Sequence, residues 1–449
     1  MLLSSLGTSI ANVGLPTLAQ VFGASFQQVQ WVVIAYLLAI TTLTVSVGRL
    51  GDLIGRRRVL LAGIALFTLA SVLCGVAPTL GLLIAARLVQ GLGAAVMMAL
   101  TMAFVGETVP KANTGSAMGL LGTMSALGTA LGPSLGGVLI DGLGWRAIFL
   151  VNVPLGLLVW FFAHRYLTVD RHRSEVGGAR FDHLGTLVLA LTLAAYALAM
   201  TTRSGEGPRG FGPLNMAWLL AAVIGVGLFM LSQARALSPL IHLAKFREPG
   251  FSASLAINAL VSTVMMATLV VGPFYLARAL GLAAATVGLV LSMGPAISAL
   301  SGVMAGRAVD RWGAPRMVIV GLIAMAAGTL ALSLLPALLG LAGYLAAIAV
   351  LTPGYQLFQA ANNTAVMGDV QPEQRGVISG MLSLSRNLGL ITGASLMGAV
   401  FALGSAASDI ATADPGAVAH GMQITFAVAV VLVGAAMMLA LGSRGLLRR

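Results

Sequence analysis

Long stretches with almost no polar side chain recur along the whole chain, separated by short polar segments. A helix that crosses the hydrocarbon core of a bilayer needs about 20 such residues. Apolar runs of suitable length lie at 2–22, 29–48, 59–76, 80–105, 115–140, 147–164, 184–201, 214–231, 251–276, 283–306, 317–334, 338–361, 376–404 and 422–441. Backbone polar groups in lipid must bond to each other, which leaves helices or closed barrels. Barrel strands alternate apolar and polar positions over about 10 residues, and the unbroken run from Leu184 to Met200 does not. The pattern therefore predicts an all-α polytopic membrane protein with 14 transmembrane helices. No basic residue precedes the first run, so it reads as a span and not as a cleaved signal peptide.

Composition strengthens this picture. Of 449 residues, 58% are hydrophobic and only 8% are charged, whereas a water-facing surface brings the charged share of a soluble protein to about 25%. The 56 glycines suit helices that approach closely where water supplies no drive for them to associate. A single cysteine, Cys74, excludes an intrachain disulfide. The net charge of +12 does not imply nucleic acid, because the basic residues sit between apolar runs, where they orient a chain in a membrane. With the N-terminus inside, only Arg146, Arg203, Arg209 and Arg278 face out, and Arg87 and Arg386 fall within spans. All the other Lys and Arg lie inside, and the arginines at the end place the C-terminus inside too. No connection is long enough for a soluble domain; the largest runs from about 165 to 183. Function is expected within the helical bundle.

The segment after the second run holds Gly48, Arg49, Asp52 and Gly55, followed by Arg56. The segment after the tenth holds Gly306, Arg307, Asp310 and Gly313 at the same intervals. Both are expected to face inside. Two copies at matching topological positions point to duplication of a six-helix unit, and their separation by eight spans leaves two extra helices between the copies. The expected organisation is a six-helix bundle at 1–167, a linker with two extra helices at 168–250, and a second six-helix bundle at 251–449. Two like-oriented bundles fit one class of secondary transporter. The Asp and Arg pattern suits an inner gate whose contacts break as the halves rock.

Charge inside a span is costly and points to function. Arg87, with Gln90 one turn on, and Arg386, with Asn387 beside it, are the interior groups of this kind. The acidic residues all fall in loops or near span ends. The fifth run carries Gly128, Gly132, Pro133, Gly136 and Gly137, a small-residue face with a bend. Asn12, Tyr36, Met97, Asn258, Gln356 and Gln359 are candidates to line a cavity.

These motifs together resemble the major facilitator superfamily, in particular its fourteen-span drug:proton antiporter group, over essentially the whole chain. Residues 48–58 are similar to its inner-loop motif, with Asp52 and Arg56 in the charged gating roles. Residues 87–93 are similar to its fourth-helix motif, whose arginine is associated with proton coupling. Residues 128–137 are similar to its fifth-helix antiporter motif, and Trp145, Arg146, Phe149, Asn152, Pro154 and Gly156 are also typical of the group. The resemblance implies two six-helix bundles, a central cavity and rocker-switch alternating access. It further implies residence in the cell membrane (inner or plasma), function as a monomer, and proton-coupled export of small amphipathic or hydrophobic compounds. There is one departure: the group commonly has an acidic residue in the first helix where this chain has Gly7.

Two other functions stand beside export. The first is an importer or uncoupled facilitator of a metabolite on the same fold. The second is a membrane-embedded enzyme, which would need a catalytic cluster near a membrane face. The five histidines form no metal-spaced group, so neither catalysis nor a metal or other cofactor is expected.

Overall fold

The structure, a computed structural model, describes residues 1–108, 114–167, 182–202, 212–236, 248–367, 375–406, 410 and 413–447. These are helical throughout, apart from short connections. The chain divides into two compact units. The first comprises Met1–Ala24, Gln28–Thr202 and Pro213–Leu240, and the second comprises Ser25–Gln27, Arg203–Gly212 and Ile241–Arg449.

The first unit is built on α1 (Leu2–Phe22), α2 (Phe26–Ile54), α3 (Arg56–Val76), α4 (Leu80–Thr108) and α5 (Thr114–Leu143). It continues with the short α6 (Ala147–Leu150), α7 (Asn152–Tyr166), α8 (His183–Thr201) and α9 (Pro213–Arg235). The sixth predicted span, 147–164, stays helical across the junction of α6 and α7: Val151 keeps helical angles and its amide donates to the Ala147 carbonyl at 3.0 Å, so Pro154 costs one backbone bond without ending the helix.

Helices α8 and α9 form a hairpin tied at both ends. At one end Asp182 caps α8 by accepting from the Gly185 amide at 2.7 Å, and its other oxygen accepts from Gln233 at 2.8 Å. At the other end the Asn215 Nδ2 donates to the carbonyls of Ala199 (2.8 Å) and Thr202 (2.7 Å). Trp31 Nε1 donates to Thr201 at 3.0 Å, and the hydroxyls of Ser46 and Thr186 share a bond of 2.7 Å. The hairpin is thereby pinned along α2, with α8 antiparallel to it. Asn215→Leu should leave the Ala199 and Thr202 carbonyls unpaired, at a cost of about 1 kcal/mol. Amide exchange over 198–202, followed by mass spectrometry, is expected to speed up severalfold. Unchanged exchange would mean that the hairpin does not depend on Asn215.

The second unit holds α10 (Pro249–Phe274) with a π-helical turn at Tyr275–Ala279, α11 (Ala284–Trp312), α12 (Ala314–Met367) and α13 (Arg375–Thr392). A π-helical turn at Gly393–Met397 leads into α14 (Gly398–Gly404), and α15 (Pro415–Leu447) follows. At 54 residues, α12 would be about 80 Å long if it were straight. It is not, because Gly340 takes φ 53° and ψ −126°, a conformation open to glycine but to almost no other residue. The two limbs fold back on each other, with Gly328 against Leu351 and Gly321 against Phe358. The sequence pattern predicts the break at 335–337; the structure makes it at Gly340, since Pro336 can be carried within a helix but cannot supply a positive φ.

Among the described residues, twelve helices are long and apolar enough to cross a membrane, with α12 counted once, and Leu127–Leu143 is a shorter apolar stretch. Helix α9 is the least covered, and Leu220, Val223, Leu228 and Leu231 on it are more than half exposed. In water that would be untenable; facing lipid tails it costs nothing.

Candidate functional site

The most unusual group in the first unit is Arg87, a cation that is 0% exposed. It sits two turns into α4, far from either helix end by the measure of a side chain's reach. Its Nε donates to the Val32 carbonyl at 2.9 Å. Its Nη1 donates to the Gly7 carbonyl at 3.0 Å and to Gln90 Oε1 at 2.5 Å. Gln90 passes the chain on, donating to Ser71 Oγ at 2.7 Å, and Ser71 donates to the Phe67 carbonyl at 2.7 Å. One side chain thus links α1, α2 and α4 directly, and α3 through Gln90. The guanidinium also lies over the Tyr36 ring, 4.0 Å from its centroid, and 5.8 Å from that of Phe149. Tyr36 in turn donates to the Ser4 carbonyl at 2.9 Å. Every one of these partners is neutral, and Nη2 is buried without an acceptor.

Gly7 has a place in this arrangement that its type does not announce. A Cβ there would stand 3.0 Å from Phe67 and 3.1 Å from the Tyr36 hydroxyl. The space beside Arg87 is taken by two aromatic rings, and Gly7 contributes a carbonyl instead of a side chain.

The two inner-loop copies are alike in their final glycines. Gly55, between α2 and α3, has φ 108° and ψ 125°; Gly313, between α11 and α12, has φ 83° and ψ 140°. In each case the amide donates to the carbonyl four residues before (Gly51, Val309), and the carbonyl accepts from the amide four residues after (Val59, Met317). Matched positive φ angles explain why both copies need glycine at this place. The backbone of Gly48, Arg49 and Asp52 runs in the last turns of α2; their side chains lie outside the described residues. Arg56 is half-buried at the start of α3, Gly306 is half-buried in α11, and Arg307 and Asp310 are exposed. A second echo of the repeat is in the packing: Gly93 of α4 meets Phe67 and Gly63 of α3 just as Gly321 meets Phe358 and Gly354 in the two limbs of α12.

The fifth-helix glycines clasp α1. A Cβ at Gly128, Gly132 or Gly136 would come closer than 3.0 Å to Leu2, Ser9 or Val13 respectively. Ser9 Oγ donates to the Gly128 carbonyl at 3.3 Å, and the hydroxyls of Ser5 and Ser125 share a bond of 2.7 Å. Pro133 and Gly137 are buried beside them, and α5 continues through the proline. The second unit repeats the clasp between α10 and α13. There Gly389 and Gly393 lie against the carbonyls of Ala259 and Thr263, and Thr263 Oγ1 donates to the Gly389 carbonyl at 3.1 Å. Ser385 and Asn258 add bonds to Leu255 (2.6 Å) and Leu382 (3.1 Å).

The other candidates divide. Asn12, Tyr36 and Met97 are buried in the first unit, and only Tyr36 touches Arg87. Asn258 serves the α10–α13 clasp. Gln356 donates to Ser298, to its carbonyl at 3.1 Å and also to its hydroxyl, while Gln359 donates to the Tyr355 hydroxyl at 2.9 Å. Arg386 is half-buried with its Nε buried and unpartnered, and Asn387 is buried next to it. Ser9, Ser71 and Phe67 do not stand out in the sequence. A serine or phenylalanine in an apolar run carries no signal there, because only the fold brings it to Arg87 or to the clasp.

Comparison with known proteins agrees with this architecture. The chain is 33% identical over 405 residues to the drug efflux pump JefA of Mycobacterium tuberculosis strain H37Rv, covering 88% of this chain and 77% of that one. It is 28% identical over 403 residues to the riboflavin transporter RibZ of Clostridioides difficile strain 630, covering 89% and 86%. The crystal structure of a mutant form of the nucleoside transporter NupG superposes with a TM-score of 0.66 at 12% identity, over 99% of this chain and 98% of that one, which speaks to the fold. The model of the Major Facilitator Superfamily matches residues 1–394 and again 255–445. The protein is a multi-pass membrane transporter, and it belongs to the Major Facilitator Superfamily.

Proposed function

We propose that this transporter is a secondary active exporter of small amphipathic or hydrophobic compounds, working by alternating access and driven by protons. The α1–α5 clasp carries this reading. Its glycine and proline pattern resembles the antiporter motif, and the likeness to a drug efflux pump points the same way. In this reading the chain spans the cell membrane fourteen times as a monomer, with both termini in the cytoplasm. Two features support that count: α12 doubles back at Gly340, and Leu127–Leu143 is apolar within α5. Gly48, Arg49, Asp52, Gly55 and Arg56, with Gly306, Arg307, Asp310 and Gly313, form the inner gate. Arg87 and Gln90, with Arg386 and Asn387, are the interior polar groups that shape the translocation energetics.

Metabolite transport without export is the second reading, favoured by the similarity to a riboflavin transporter. One experiment separates the two. The purified chain in proteoliposomes is offered a panel of amphipathic dyes and of flavins and nucleosides, with and without an imposed pH gradient. Export predicts dye movement against its gradient when protons flow the other way. Movement of a metabolite alone, indifferent to the pH gradient, would overturn the exporter reading.

A further inference from the structure

We propose that the inner ends of α3 and α7 form a binding site for an anionic phospholipid, with Arg58 and Arg165 on its phosphate and the exposed face of α7 along its acyl chains. Helix α3 runs antiparallel to α6 and α7. Gly75 meets Leu150 at one end, Gly156 meets Thr68 midway, and at the other end Arg57 Nη2 donates to the His164 carbonyl at 2.7 Å. That last bond ties the start of α3 to the final turn of α7. Arg58 and Arg165, each next in sequence to a bonded residue, are thereby held at the same end of the pair, and both are exposed. Arg58 tops the exposed stripe of α3 that runs through Ala62, Leu69 and Leu73. Arg165 tops that of α7, which runs through Leu157 and Phe161, with Leu158, Phe162 and Tyr166 beside it at the same four-residue interval.

Helix electrostatics do not account for these cations. The first turn of α3 holds three arginines and no acid, and the positive end of a helix dipole disfavours cations. Nor do nearby carboxylates absorb them. The connections expected at this end of the unit, 48–58, 106–114 and 164–182, hold nine Lys and Arg against five Asp and Glu, so cations are left over even if every acid is paired. Among the described residues, neither Arg58 nor Arg165 pairs with a carboxylate. The surroundings suit a lipid better than a free anion. The rings of Trp160 and His164 stack with centroids 5.2 Å apart and planes 9° apart, and the Arg165 guanidinium lies 5.8 Å from the Tyr166 ring centroid. Trp160, Phe161, Phe162 and Tyr166 are all exposed. Tryptophan and tyrosine favour the headgroup level of a bilayer, where the arginines beside them meet phosphates, while Leu157 and Phe161 continue toward the hydrocarbon. A soluble phosphate gains nothing from that face. The orientation in the reading above puts this end at the inner leaflet, where two arginines near anionic lipid are together worth roughly thirtyfold in affinity.

The test uses the purified full chain in detergent, titrated with dioleoyl phosphatidylglycerol or dioleoyl phosphatidylcholine, with bound lipid counted by native mass spectrometry. Phosphatidylglycerol is expected to bind about tenfold or more the tighter. Arg58→Gln combined with Arg165→Gln should remove most of that preference, and Arg58→Lys combined with Arg165→Lys should keep it. Arg311→Gln combined with Arg316→Gln takes the same charge from exposed positions of the second unit and should leave the preference nearly unchanged. Inorganic phosphate in excess should not displace the lipid. Equal binding of the two lipids would overturn the proposal. So would an equal loss in the Arg311 and Arg316 control, which would mean that net charge alone attracts lipid, or displacement by phosphate, which would mean a site for a free anion. Should the glutamine pair fail to fold, brominated lipids decide in a variant that keeps Trp160 as its only tryptophan: brominated phosphatidylglycerol should quench it more strongly than brominated phosphatidylcholine, and equal quenching would overturn the site. None of these readouts needs transport, so a chain that moves no compound would end the exporter reading and leave the lipid site standing.

Discussion

Arg87→Ala should fold and insert, lose at least tenfold in transport rate, and melt several degrees lower than the wild type. Removal of the guanidinium takes away the second hydrogen bond of the Val32 and Gly7 carbonyls, which keep their intrahelical partners, and the strongest donor to the Gln90 amide oxygen. In water-soluble cores an unpaired buried acceptor costs about 1–3 kcal/mol, while bonds between helices in lipid average about 0.6 kcal/mol. Three lost interhelical bonds and the emptied volume against Tyr36 together give about 2–4 kcal/mol. Arg87→Lys keeps the charge but presents its donors from one atom, so it cannot serve Val32 from one edge and Gly7 and Gln90 from another. It should recover part of the melting temperature and less of the rate. The measurements are tryptophan-detected melting in detergent and initial rates in proteoliposomes. An alanine variant that melts and transports like the wild type would remove Arg87 from the account altogether.

The contrast between what the sequence reveals and what it hides is sharpest around this residue. An arginine inside an apolar run is visible at once, because charge in lipid is costly, and Gln90 one turn away is visible with it. The groups that hold Arg87 are not. Gly7 and Val32 act through carbonyl oxygens, which every residue has, so no side-chain pattern marks them. Gly7 is readable in the sequence only as a missing acid. In the fold it is a close contact for Phe67 and a hydrogen-bond acceptor. The apolar runs locate the helices well, and α1 at Leu2–Phe22 coincides with the first run, since span length is set by the bilayer and not by tertiary detail. Breaks are harder to place. The turn of α12 falls at Gly340 and not at 335–337 because a positive φ outweighs the presence of a proline. The Gly–Arg–Asp–Gly spacing is legible as a repeat, and the similar backbone angles of Gly55 and Gly313 give its physical reason. Asn258 reads as a cavity candidate, and in the fold its amide donates to the Leu382 carbonyl, a contact across 124 residues of sequence that no local pattern encodes.

Gly132→Ala and Gly393→Ala should both impair transport, but only the first should be open to rescue. Each glycine sits where two helices nearly touch, α5 on α1 and, just past the end of α13, the π-helical turn on α10. At Gly132 the nearest obstacle to a Cβ is the Ser9 side chain, followed by the Ile10 amide nitrogen at 2.9 Å. At Gly393 it is the backbone carbonyl of Thr263. Overpacking of a tight contact costs about 1–3 kcal/mol, here as a widened helix pair that can no longer close. Such a cost corresponds to a rate loss of roughly tenfold if the closed pair is needed for each cycle. Ser9→Gly combined with Gly132→Ala removes the side chain that blocks the new methyl group and should regain about half the lost rate. Thr263→Ala combined with Gly393→Ala leaves the carbonyl in place and should regain nothing; it also forfeits the Thr263 bond to Gly389. Melting curves should follow the same order. Equal rescue in both units, or none in either, would show that the two clasps do not depend on the contacts the backbone geometry assigns to them.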